Sequence, residues 1–168
     1  PKTGEQYVTM ILASIISGAG ATQQMDGWHA CGPLSCFGAL SSGDIELLEY
    51  QYPILIHKYG LAEDSGGAGE YRGGCGTVWE VEPLDHTMTV IAFGEGRQHP
   101  TMGAGGAEQI SPELKVGRLE ILHKDGQTDL YRKNTVTEIT PGERARNINP
   151  GGGGYGSSFD RDIQAVIK

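Results

Sequence analysis

The sequence predicts a mainly β chain of α+β character: antiparallel sandwich or barrel-like sheets, glycine-rich loops and a short C-terminal helix. Three observations predict it. Of 168 residues, 27 are Gly and 8 are Pro while only 20% are charged, a balance that disfavours helical bundles and suits strands joined by tight turns. Short stretches of period-two apolar alternation recur along the chain, and Asp125-Gly126 stands between two of them as a hairpin turn. The glycines come in clumps without a triplet period, which excludes collagen. The length suits a single domain over residues 1–168 with one core.

Taken in order, residues 8–16 are an apolar run followed by Ser17-Gly18-Ala19-Gly20-Ala21. The flank before it has no basic cluster, so it reads as a buried strand or helix in preference to a signal peptide. Residues 45–59 put Tyr50, Tyr52, Ile54 and Ile56 on one period-two face around Pro53 and predict one long strand with a bend or an edge. Residues 77–81 set Thr77, Trp79 and Val81 on one side, and residues 87–93 alternate Thr87, Thr89, Ile91 and Phe93 with Met88, Val90 and Ala92, so two more strands follow. Residues 118–123 and 128–132 pair across Lys124-Asp125-Gly126-Gln127, where Gly supplies a positive φ. A last strand spans residues 135–140 and ends at Pro141-Gly142. A helix starts at Asp160 with an apolar stripe of Ile163, Val166 and Ile167, then stops after about two turns, short of an independently stable helix. The chain therefore reads as a piece of a longer polypeptide.

The formal charge is −8, from 21 acidic against 13 basic residues, and the densest basic stretch, Arg144 and Arg146, holds two charges. That field disfavours nucleic acid and anionic lipid as partners. No run of 18 apolar residues spans a membrane. Three cysteines, Cys31, Cys36 and Cys75, are an odd and sparse set, which favours a cytoplasmic location with free thiols.

Two glycine-rich stretches are the candidate sites. Residues 64–74 pack five glycines around Asp64, Ser65 and Arg72; amides near Gly66 and Gly67 would cradle an anion or substrate group that Arg72 completes. The plainer alternative is a structural loop in which Arg72 pairs with Asp64 or Glu70. Gly151, Gly152, Gly153, Gly154 and Gly156 form the second stretch. Its G-x-G-x-x-G spacing lacks the parallel strands of a dinucleotide fold, which leaves an anion at the helix start or a tight chain reversal.

Other constellations are weaker. His29, Cys31 and Cys36, with Asp26 and Cys75, match no zinc spacing, so no metal ligand is assigned. His86, Arg97 and His99 bracket the turn at residues 93–96, as an acid/base or anion site or as a solvated loop rim. A Cys75 nucleophile would need a distant His, and no G-x-S-x-G elbow exists. No residue is assigned a catalytic role.

The run at residues 64–74, preceded by Glu46-Leu47-Leu48-Glu49 and Tyr52-Pro53-Ile54 and followed by residues 150–156 and Arg161-Asp162, resembles the C-terminal part of the hydantoinase B family over nearly the whole chain. The resemblance implies a subunit of a multi-subunit, ATP-dependent complex with a hydantoinase A-type partner. It also implies ATP with Mg2+ on the complex, on the partner subunit, and a divalent Mn or Zn in an upstream part of the subunit. Such complexes carboxylate ketones, as acetone and acetophenone carboxylases do, or open cyclic amides, as hydantoinases and 5-oxoprolinases do. Residues 38–44 depart from a Thr-Asn-Thr type segment, and residues 92–97 look more like the carboxylases, so a ketone carboxylase is the expected branch. Cyclic-amide opening and a non-catalytic scaffolding module are the alternatives.

Overall fold

The computed structural model describes residues 4, 6–10, 16–32, 43–94, 96–108 and 117–167. Among these residues, seven strands form two antiparallel sheets. β1 (Ile54–Leu61), β2 (Thr77–Pro83), β4 (Arg118–Leu122), β5 (Thr128–Tyr131) and β7 (Arg144–Ile148) build a five-stranded sheet in the order β1-β2-β7-β4-β5. β3 (Met88–Ala92) pairs with β6 (Thr135–Ile139) in a second, two-stranded sheet. The mainly β expectation holds, short C-terminal helix included: a 3-10 turn at Ser158–Asp160 leads into α2 (Ile163–Ile167).

The stretch at residues 45–59 departs from the expected single strand. Asp44 caps a helix, α1 (Ile45–Gln51), by accepting hydrogen bonds from the amides of Glu46 and Leu47. Pro53 disfavours helical geometry at the residue before it, and Tyr52 accordingly sits at φ −125° and ψ 142°, so the helix stops and β1 begins at Ile54. The tyrosines at 50 and 52 mimic a strand because i and i+2 alternate by chance across that boundary. Residues 11–15 of the first apolar run lie outside the described residues, as do Cys36 and residues 38–42.

Register explains the layers. Tyr59, Trp79, Asn147, Leu119 and Tyr131 stand opposite one another in a row across the five strands, so they share one face. With Val81, Ala145 and Ile121 from the next row, this face meets Ala92 and Ile139 of the small sheet and makes the core. Burying each large aliphatic side chain there contributes about 1.5–3 kcal/mol. The opposite face carries Lys58, Glu80, Arg146 and Glu120 in one row. Glu80 is buried and takes Arg144 Nη1 and Arg146 Nε, both at 2.7 Å. Burial raises the Glu80 pKa, but the hydrogen bonds from Arg146 and Arg144 outweigh it and hold the carboxyl below its ordinary value.

Outside the sheets, residues 16–32, 62–76, 102–104 and 149–156 pack backbone on backbone. Gly67 N–H donates to Gly152 O, Gly152 N–H to Gly74 O, Gly74 N–H to Ala19 O, and Ala21 N–H to Gly153 O, all within 2.9 Å. A Cβ at Gly152 would overlap the Ala19 carbonyl, and one at Gly73 the Gly152 carbonyl. As at the axis of the collagen triple helix, only glycine fits where main chains approach this closely.

Candidate functional site

The glycine core joins the two stretches singled out in the sequence. Gly67 pairs with Gly152, and Tyr71 and Tyr155 exchange both main-chain hydrogen bonds. Gly66, Gly67, Gly151, Gly152, Gly153 and Gly154 are all buried. Gly156 turns with φ +73° and donates to Ala104 O. Ser65 is buried too: its Oγ donates to Ala62 O at 2.8 Å and accepts from the Gly76 amide at 2.9 Å. What this region presents outward is the pair Asp64 and Arg72, with Arg72 Nη2 donating to Asp64 Oδ1 at 3.2 Å. Asp64 adopts φ 51°, a left-handed conformation that Asp tolerates better than most residues.

Beside that rim, Asp26 clamps three segments. It accepts both terminal guanidinium nitrogens of Arg161, at 2.9 and 2.8 Å, and the Arg72 amide at 2.7 Å. Arg161 Nη1 also donates to Glu70 O. The hydrogen bonds from Arg161 hold the Asp26 carboxyl below its ordinary pKa, and Asp26 in turn pushes the Arg161 guanidinium up. His29 Nδ1 accepts the Cys75 amide at 2.8 Å, which puts the neutral ring's proton on Nε2. Cys31 and Cys75 are free thiols, and no group of three metal-ligating side chains exists among the described residues. No helix among them is long and apolar enough to cross a membrane.

A second locus is a cleft of about 620 Å³ between β3, residues 6–10 and the inner face of the large sheet. Arg97 lines it. The solvated-rim reading of Arg97 is corrected here, because the side chain is only 6% exposed. Gly96, at φ +67°, packs against the Pro150 ring and turns the chain inward just before it. Arg97 Nη2 donates to Asn147 Oδ1 at 2.6 Å, and Asn147 Nδ2 donates to Asn149 Oδ1. Asn149 Nδ2 donates to Thr77 Oγ1, whose hydroxyl reaches Ile16 O, so a buried polar chain links the cleft to the glycine core. Burial pushes the Arg97 guanidinium pKa down. His86, also on the cleft, bonds through Nε2 with Tyr7 Oη at 2.7 Å, while His99 is exposed. Arg97 and His86 thus share a cleft without sharing a partner. Burial raises the Tyr7 pKa.

Sequence reasoning places Trp79 on a strand face but assigns neither it nor Asn147 to a site. The available signal is Asn147 itself, a polar residue at an inward position of β7, where alternation calls for an apolar one.

The Hydantoinase B/oxoprolinase family matches residues 1–158, which takes in both the glycine core and the cleft. The chain belongs to this family. It is 63% identical over 163 residues to caprolactamase subunit beta of Pseudomonas jessenii, a match covering 97% of this chain and 28% of the relative. It is 36% identical over 116 residues to 5-oxoprolinase 1 of Arabidopsis thaliana, covering 69% of this chain and 9% of that protein. The crystal structure of ATP-dependent caprolactamase from Pseudomonas jessenii superposes with a TM-score of 0.85 at 55% identity, over 99% of this chain and 29% of that one. The nucleotide-free structure of acetone carboxylase superposes with a TM-score of 0.67 at 21% identity, over 90% of this chain and 24% of that one, which shows the fold alone. The chain spans less than a third of the length of each of these relatives. Within the Hydantoinase B/oxoprolinase family, then, this chain supplies a glycine-packed body and a largely apolar cleft lined by a buried arginine.

Proposed function

We propose that this chain is the C-terminal part of a hydantoinase B-type subunit in an ATP-dependent complex that opens a cyclic amide. The observation that carries this reading is the 63% identity with a caprolactamase subunit across 97% of the chain. Ketone carboxylation, the branch expected from residues 38–44 and 92–97, is the second reading. Acetone carboxylase, at 21% identity, shares the fold with this chain, so the second reading rests on the residues at 92–97 and on that shared fold without a matching activity. Residues 38–42 and Glu95 lie outside the described residues; of the two that follow, Gly96 packs against the Pro150 ring and Arg97 lines the cleft.

A lactam carbonyl is a poor electrophile because the ring nitrogen donates into it, and ATP is the reagent that activates it in such complexes. The described residues do not fit ATP or a metal themselves. The amides of Gly67, Gly73, Gly74 and Gly152 are bonded to carbonyls of the same chain, and no three-ligand cluster is present among the described residues. ATP with Mg2+ is therefore assigned to a hydantoinase A-type partner, and a divalent metal to other parts of the subunit. Asp64, Ser65, Gly66, Gly67 and Arg72 would form a shaped wall beside the substrate path, its exposed charges being Asp64 and Arg72.

The deciding experiment measures ATP hydrolysis by the complete complex. Stimulation by caprolactam, with the ring-opened amino acid as product, supports the proposal; stimulation only by acetone with bicarbonate overturns it. A scaffolding role is separated by Arg72→Ala in the same complex. Lower turnover with assembly intact places the rim at the substrate path. Lost assembly with unchanged turnover per intact complex assigns it to scaffolding.

A further inference from the structure

We propose that the cleft lined by Arg97 and Trp79 is a binding site for a small organic monocarboxylate with an aliphatic body. The inference is independent of the reaction proposed above, since it rests on the geometry of the cleft. Arg97 is 6% exposed and Trp79 2%, and both line the cleft. Arg97 Nη1 and Trp79 Nε1 are buried donors with no hydrogen-bond partner among the described residues. No carboxylate among the described residues pairs with Arg97, whose Nη2 is held by the neutral amide oxygen of Asn147. A buried cation whose described neighbours supply no counter-ion, and an indole N–H to which they offer no acceptor, each give up interactions they had in water. A ligand that brings a negative charge and two oxygen acceptors restores both.

The walls choose the rest of the ligand. Val81, Met88, Val90, Ala92 and Leu119 line the cleft and are apolar, and its volume of about 620 Å³ lies in the range of small-molecule sites. One guanidinium balances one negative charge, so a monoanion with a hydrocarbon body fits and a polyphosphate does not. The site is also built to hold its cation still. Asn147 accepts from Arg97 and donates to Asn149, and Asn149 donates to Thr77, so reversing the Asn147 amide would break the chain of bonds behind it. Tyr59, the cross-strand neighbour of Trp79, packs edge to face against it with centroids 5.7 Å apart and restrains the indole. Preorganised donors are what turn an apolar cleft into a selective site.

The test uses the complete protein that contains this chain, with hexanoate as probe in titration calorimetry. Hexanoate binds, and each methylene removed on the way to acetate weakens binding roughly fourfold, as hydrocarbon burial requires. Hexanamide, neutral and of the same size, binds at least about tenfold more weakly, which reads the charge without any substitution. Arg97→Met abolishes the hexanoate signal, and Trp79→Phe, which keeps an aromatic ring but removes the pyrrole ring with its N–H, weakens it several-fold. The proposal is overturned by an absence of hexanoate binding in the wild type, which is also the result if another segment of the protein fills the cleft. Equal affinity for hexanamide, no dependence on chain length, or full binding by Arg97→Met overturns it as well. Lactam-stimulated ATP hydrolysis is scored separately, so either proposal fails without the other.

Discussion

Between β2 and β7 the chain is held by its side chains: Trp79 stands beside Asn147 on the inner face, and Glu80 is gripped by Arg144 and Arg146 on the outer one. Between residues 66–74 and 149–154 it is held by the lack of them, with main-chain amides and carbonyls in direct contact. The sheets follow alternation, so a swap that conserves volume and polarity is tolerated there. The glycine core has no volume to trade. Its specificity lies in backbone approach, and a single methyl group is the largest perturbation it meets.

Gly152→Ala therefore carries the largest expected effect. The new Cβ would overlap the Ala19 carbonyl, and relief requires separating segments joined by the bonds from Gly67 to Gly152 and from Gly152 to Gly74. The expected loss exceeds about 4 kcal/mol, in the range reserved for gross packing failure. It shows as loss of soluble full-length protein. Gly60→Ala is the control within the sheets: nothing lies within 4 Å of its added Cβ, and its φ is not positive. That change leaves stability within about 1 kcal/mol. If both variants are recovered equally well, the glycine core is not close-packed.

Leu119→Ala comes next and probes the side-chain region. Leu119 is 1% exposed in the centre of the core, and removing three of its carbons costs about 2–5 kcal/mol. Faster amide hydrogen exchange across β4 and β7, with the glycine segments unchanged, is the expected pattern. Equal acceleration in both regions would show that they unfold as one unit and would blunt the contrast drawn between them.

The same contrast explains what was legible in the sequence. Side-chain alternation announced β2, β3 and β6, and Asp125-Gly126 announced the β4–β5 hairpin, where Gly126 has φ +86°. β7 stayed hidden because its residues are Arg144, Ala145, Arg146, Asn147 and Ile148, and its burial comes from ion pairs and polar bonds instead of apolar bulk. α1 was misread because a short capped helix ending at a proline leaves too few residues to show a period of 3.6. The glycine clusters were visible, yet their meeting was not: residues without side chains carry no pattern that says which other backbone they touch. Arg97 was visible as a charge, but its burial depends on Gly96 packing against Pro150, a contact 54 positions distant in the chain that no local pattern encodes.

Asp26→Asn probes the seam between the glycine core and the C-terminal segment. It removes the charge that accepts both Arg161 nitrogens while leaving an oxygen for the Arg72 amide. Asp26 is half exposed and Arg161 15%, so solvent screens the pair and the expected cost is about 1 kcal/mol. Faster exchange of the Tyr71 and Arg72 amides is the readout, and unchanged exchange there would show that the clamp does not secure the seam.

The smallest effect belongs to the sheet edge, where it has a signature in pH. His123 Nδ1 lies 2.8 Å from Glu143 Oε1, and its Nε2 lies 3.2 Å from Asp129 Oδ2. The Glu143 hydrogen bond raises the His123 pKa, with Asp129 adding to it, while His123 and the Thr140 amide and hydroxyl lower Glu143 to about 2. The two shifts act at opposite ends of the scale. A raised His favours the fold fully below its unfolded pKa of about 6.5 and ceases to do so as pH rises through the folded value. A depressed Glu favours the fold above its unfolded pKa of about 4.5 and ceases to do so as pH falls toward 2. Both contributions are at full strength together between about pH 4.5 and 6.5, and each fades outside it as pH passes through the folded value. The melting temperature of the wild type minus that of Glu143→Gln is expected to be largest inside that window and to shrink on either side. Because the bonds from Thr140 to Glu143 persist in some form in the amide variant, a flat difference across pH would mean that they, and not the charge pair, account for what Glu143 contributes.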